Sequence, residues 1–257
     1  MSDDALRRRE RRAAADGLEG ELALLRERAR SGELTDAEHR VLELAAIWRE
    51  SGDPRDEART LAARLETHAV TSATLRLAAR LGHAPAIEGL ELAGREAPGP
   101  DEDVLPLLRS VVGSAPRLAL AAGRYAYAQL DPPPQLIEEA QHLFLVLDAW
   151  NACPCAEHQE LVDELAQDCR PIYRGLYDLT LDAHLLAPLH AALFATGPPG
   201  TSFGISLVYG LPHPRVELAV TALRLVAPGP ELPAPIRDEV VPWLLGYGDP
   251  VDARAEL

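Results

Sequence analysis

Thr35-Asp36-Ala37-Glu38 opens the stretch whose reading decides the fold. Thr stands where a helix N-cap belongs, and Glu follows three residues on. Each side chain can then satisfy the other residue's backbone N–H, which is a capping box. Val41, Leu44, Ala45 and Trp48 follow at the spacing of one helix face. Gly52 stops that helix, because glycine takes the left-handed terminal conformation without steric cost. Asp53-Pro54 starts another at once, Asp as N-cap and Pro at the first helical position. A start, a face, a stop and a restart this close together predict short helices joined by tight turns, hence antiparallel neighbours.

The same punctuation extends both ways. Residues 3–30 have a helical pattern with a basic run at Arg7, Arg8, Arg9, Arg11 and Arg12. Gly17 and Gly20 are expected to divide it into an exposed first helix and a second over 18–30. Thr71 or Ser72 caps a helix ending at Gly82, and Pro85 opens the next. Asp101 is expected to cap a helix ending near Gly113, followed by helices over 114–130 and from Pro134 through Trp150. In the last of these Ile137, Leu143, Phe144, Leu147 and Trp150 share one broad face. Residues 156–169 read as amphipathic, with Val162, Leu165 and Cys169 inward. Pro188 is expected to kink a helix over 180–196. Phe203, Ile205, Leu207 and Tyr209 alternate, the one strand-like rhythm. That stretch suits a loop laid on the core or an edge pairing with a second copy. Two last helices over 215–226 and 235–246 complete the reading. The expectation is an all-α chain of about a dozen short antiparallel helices in a compact or solenoid-like array.

Arg95 to Asp101 is the best linker, because Pro and Gly cluster there and the charge balance changes. Residues 1–98 hold 19 acidic and 16 arginine residues, and residues 99–257 hold 21 and 9. Two segments are expected, 1–98 and an acidic 99–257, packing separately or as one continuous array.

Composition excludes several activities. All 25 basic residues are arginine, which fits the codon bias of a GC-rich bacterial genome. Without lysine, Schiff-base enzymes, Ser-Lys hydrolases and the lysine-dependent phosphate loop are ruled out. Gly197-Pro198-Pro199-Gly200-Thr201 begins like a phosphate loop, but Ser202-Phe203 stands where Gly-Lys is required. Gly204-Ile205-Ser206 begins like a nucleophile elbow, but Val208 takes the second glycine's place. A net charge of −15 opposes nucleic-acid binding. Three unevenly spaced cysteines are not a disulfide framework, and neither a basic n-region with an apolar run nor a membrane-length apolar stretch is present. A cytoplasmic protein with reduced thiols is expected, with no membrane partner, as monomer or homodimer.

Leu42-Glu43-Leu44-Ala45-Ala46 recurs as Leu75-Arg76-Leu77-Ala78-Ala79, 33 residues on, and as Leu118-Ala119-Leu120-Ala121-Ala122, 43 further. Val216 to Val220 is a fourth variant. On these residues the chain resembles α-helical repeat proteins of the HEAT, armadillo or tetratricopeptide type. The resemblance implies a scaffold that binds other proteins on a concave face.

Two features bear on function. Glu157, Glu160, Glu164 and Asp168 form an acidic stripe on one helix, suited to a basic protein partner. Just before it, Cys153-Pro154-Cys155-Ala156-Glu157-His158 places three soft ligands within six residues. That corner reads as two cysteines packed in a helix–helix turn, as a zinc site, or as a reactive thiol at a helix N-terminus. Nearby carboxylates oppose the last, because they favour the protonated thiol. The leading expectation is a non-enzymatic bacterial protein-binding module, a scaffold, adaptor or inhibitor, with no cofactor. The alternative is a thiol- or zinc-dependent enzyme or sensor centred on Cys153, Cys155 and His158.

Overall fold

The computed structural model describes residues 17–129, 134–153, 155–168, 220, 223–224 and 232–247. The chain divides into two compact units, Met1–Gly99 and Pro100–Leu257. Ten helices and no strand occur among the described residues. The expected first helix with its basic run, the 180–196 helix with its Pro188 kink, the alternating 203–209 stretch and most of 215–226 lie outside them. So do Cys169 and the loop motifs over 197–208. Among the described residues the helix count is ten, where about a dozen were expected over the whole chain, and every described element is helical.

The first unit holds α1 (Gly17–Arg30), α2 (Asp36–Ser51), α3 (Pro54–Glu66), α4 (Ser72–Arg80) and α5 (Ala84–Leu92). The expected second helix over 18–30 is α1, with Gly17 and Gly20 in its first turn, where a helix has fewest backbone bonds to lose; a break before Gly17 lies outside the described residues. The capping box forms. Thr35 N–H donates to Glu38 Oε2 at 2.9 Å, and Glu38 N–H donates to Thr35 Oγ1 at 3.2 Å. Gly52 takes φ 62° and its N–H closes on Trp48 O. Asp53 caps α3 through the N–H of Arg55 at 2.8 Å. Between α1 and α2, Glu21 pairs with Arg49 and Arg26 pairs with Glu43. Residue numbers rise along α1 as they fall along α2, so the two are antiparallel.

Helix α5 packs on α3, with α4 between them in sequence. His83, at the head of α5, meets Glu57, and Gly89 further along α5 lies against Ala58 and Leu61. The two helices thus run in the same sense. The approach is close because a Cβ at Gly89 would lie 3.1 Å from both Ala58 O and Leu61 Cβ. In the same unit Ala58, Leu61, Leu75, Leu77, Ala78, Ala86 and Leu90 are fully buried.

The second unit holds α6 (Val104–Ser110), α7 (Ser114–Ala128), α8 (Pro134–Ala152), α9 (Ala156–Asp168) and α10 (Ala234–Leu245). Asp103, not Asp101, caps α6, accepting the N–H of Leu105. Helix α7 is the centre: α6, α8 and α10 all pack on it. It is buried nearly all round, from Ser114 to Gly123 with one half-buried proline, as a helix apolar on every side must be. On α8, Leu143, Phe144 and Leu147 are buried as the shared face requires, and Trp150 is half-buried. The side chains of Ile137 and Leu165 lie outside the described set. Helix α9 packs on α8. No described helix is long and apolar enough to cross a membrane.

The Leu-x-Leu-Ala-Ala copies share helical structure but not environment. In α4 and α7 their leucines and alanines are buried, whereas in α2 Leu42 is exposed and only Ala46 is buried.

Candidate functional site

The corner between α8 and α9 is built by backbone hydrogen bonds at each end. Cys153 N–H donates to Ala149 O, continuing α8. Gln159 N–H donates to Cys155 O, the first bond of α9. Cys155 is therefore the N-cap of α9, and its own N–H returns to Cys153 O at 2.8 Å. One turn into α9 the imidazole of His158 folds back over the corner. Its Nδ1 lies 2.7 Å from Cys153 O and 3.5 Å from Cys155 Sγ. The result is a cluster of two sulfurs and one imidazole nitrogen, all within 4.8 Å of one another. Cys153 is exposed, and Cys155 and His158 are half-buried.

The two thiols differ. The Cys155 thiol is pushed below its ordinary value, chiefly because the backbone N–H of His158 stabilises its thiolate. A hydrogen bond from the Cys153 thiol and the N–H of Glu157 add to this, against burial and the Glu157 carboxylate. Cys153 is pushed up, first by its hydrogen bond to Cys155 and then by that neighbour's charge. The expected opposition of the following carboxylates is present at Cys155 as the raising effect of Glu157, yet the net shift there is downward. Unsatisfied N–H groups at the helix start donate directly to its sulfur and outweigh the carboxylate there.

The acidic stripe begins beside this cluster. Glu157, Glu160 and Glu164 are exposed on α9, and Val162 is buried. Leu161 lies among the carboxylates, 42% exposed. Asp168 closes the helix, its side chain outside the described set. The geometry therefore gathers Cys153, Cys155 and His158 at one point and spreads the three described carboxylates along the helix that leaves it.

The chain matches no protein-family model, no curated protein and no solved structure in comparison.

A second charged constellation is absent from the sequence reading. Arg117 and Arg124 stand seven residues apart on α7, two turns along one face. Arg117 donates to Asp148 Oδ1 of α8 at 3.2 Å, and Arg124 pairs with Asp148 and with Glu239 of α10. Arg117 also lies over the Trp243 ring and Arg124 over Phe144. Arg117, Asp148 and Glu239 are buried. The signal was present: each is a charge inside an apolar helical run, at a position where the pattern calls for a core residue. Among the described residues the cluster pairs two guanidinium with two carboxylate groups, as burial of charge demands. This cluster locks three helices together.

Proposed function

We propose that this chain is a non-enzymatic protein-binding module, a scaffold, adaptor or inhibitor, whose helix α9 docks a basic partner. The outer face of α9 carries the reading. Glu157, Glu160 and Glu164 are exposed there, with Leu161 among them. Among the described residues, no arginine pairs with these carboxylates. An apolar residue within a charged rim is the usual plan of a protein interface, the charges steering the encounter and the apolar group supplying contact. Stacked short helices, with α3 and α5 running in the same sense, support the scaffold part of the reading.

The test is capture of partners from the native host by the full chain and by a variant in which Glu157, Glu160 and Glu164 become Gln and Asp168 becomes Asn. The wild type is expected to retain an arginine- or lysine-rich protein whose recovery falls on the order of tenfold in the variant and with added salt. Equal recovery of the same partner by both proteins removes α9 from the interface.

A further inference from the structure

We infer that the corner between α8 and α9 is a binding site for a thiophilic metal ion of the zinc type, held by Cys153, Cys155 and His158. The inference is independent of the protein-binding reading, and each can fail alone.

The donor set comes first. Two thiolates and an imidazole are the ligands that zinc and related soft or borderline ions prefer, whereas calcium and magnesium take oxygen. Geometry follows. Tetrahedral zinc, with bonds of about 2.3 Å to sulfur and about 2.0 Å to nitrogen, sets its ligand atoms roughly 3.5–3.8 Å apart. The cluster lies within 4.8 Å throughout, and Cys155 Sγ is 3.5 Å from His158 Nδ1. Backbone bonds at the end of α8 and the start of α9 already hold the two cysteines, so the ligands are gathered before any ion arrives.

Core packing does not account for this arrangement. Free cysteine is among the most buried residue types, and in cores it behaves as a small apolar group. Cys153 is exposed. His158, half-buried, likewise turns its Nδ1 onto a cysteine carbonyl and a cysteine sulfur, polar contacts that apolar packing beside Val162 does not require. The ion would displace the two thiol protons to solvent and take the Nδ1 lone pair once the ring gives up its Nδ1–H bond to Cys153 O and carries its proton on Nε2. Three ligands among the described residues leave one tetrahedral position for a further ligand. A site of that kind is open to an exchangeable fourth ligand, in contrast to closed four-ligand structural sites.

The experiment uses the reduced, full-length chain with Co2+ as spectroscopic probe and Zn2+ as competitor. Co2+ should produce sulfur-to-cobalt charge-transfer absorption and tetrahedral d–d bands that saturate at one equivalent, and Zn2+ should abolish both. Cys153→Ser, Cys155→Ser and His158→Ala should each weaken Zn2+ binding by at least about tenfold, the loss typical of disturbing even an outer-shell partner. Cys169→Ser should leave it unchanged. Far-UV dichroism of every variant separates loss of a ligand from loss of fold, and His158→Ala decides the matter should a cysteine variant unfold. Absence of the charge-transfer band overturns the inference. So does a band that survives Cys155→Ser, or one that Cys169→Ser removes.

Discussion

The two units solve the same problem, holding short helices in register, by different means. In the first unit the devices are local. A capping box starts α2, a left-handed glycine ends it, and Asp53 starts α3 two residues later. Its partly buried polar pair, Glu57 with His83, joins helices that already touch through Gly89. In the second unit the devices are long-range. Arg124 reaches Glu239 across 115 residues, far beyond the 26 that separate Glu57 from His83. Local devices work wherever their own few residues fold. Buried charge pairs are satisfied only when α7, α8 and α10 meet in one arrangement. Such pairs add little net stability, because desolvation offsets attraction, but they penalise every arrangement that leaves a charge unpaired.

The largest expected effect tests that contrast directly. Arg124→Met leaves Asp148 and Glu239 buried without their shared cation. Breaking a buried pair on one side costs about 3–5 kcal/mol. Urea unfolding followed by Trp243, in a background with Trp48→Phe and Trp150→Phe, should show a loss of that size. Adding Glu239→Gln should recover part of it, because one uncompensated charge is removed. A loss below about 1 kcal/mol, the range of exposed pairs, would mean that the carboxylates reach water and that the second unit is not specified by charge.

The matching test of the first unit is Gly89→Ala. The new Cβ would sit 3.1 Å from Ala58 O and from Leu61 Cβ, and neither atom is the flexible end of a side chain. Overpacking costs about 1–3 kcal/mol, and the better helix propensity of alanine returns up to about 1 kcal/mol. The net should be a loss of roughly 1–2 kcal/mol by urea unfolding followed by Trp48. A stabilised variant would show that α3 and α5 separate without cost, and that close approach does not set their register.

The contrast also explains what could be read from sequence. Thr35, Glu38, Gly52, Asp53 and Pro54 act on backbone groups within four residues of themselves, so their spacing alone reveals the helix ends. The face formed by Leu143, Phe144 and Leu147 was legible for the same reason, since helical periodicity needs no partner. Arg117, Arg124, Asp148 and Glu239 were not, because their meaning depends on which helices meet. Each alone shows only a charge within an apolar run, with no sign of which partner it meets. Asp101 and Asp103 both precede the apolar run of α6, and only backbone geometry selects Asp103 as the cap. At the corner, the residue types were legible, but the return of His158 onto Cys153 and Cys155 required the turn itself.

The smallest expected effect isolates one local device. The carboxyl of Glu38 lies below its usual 4.5, first because it accepts the Thr35 backbone N–H and then through the Thr35 hydroxyl. A carboxylate whose folded value is depressed contributes stability that is present above its unfolded value and is lost as pH falls through the folded value. The stability difference between wild type and Glu38→Ala should therefore be constant from neutral pH down to about pH 5, then shrink as acid protonates the side chain. Urea midpoints read at Trp48 across that range measure it. Because Glu38 is solvent-exposed, the difference should stay well below the effect of Gly89→Ala. A gap that persists unchanged below the folded value would mean that the methylene packing of Glu38, not its charge on the Thr35 N–H, holds the start of α2.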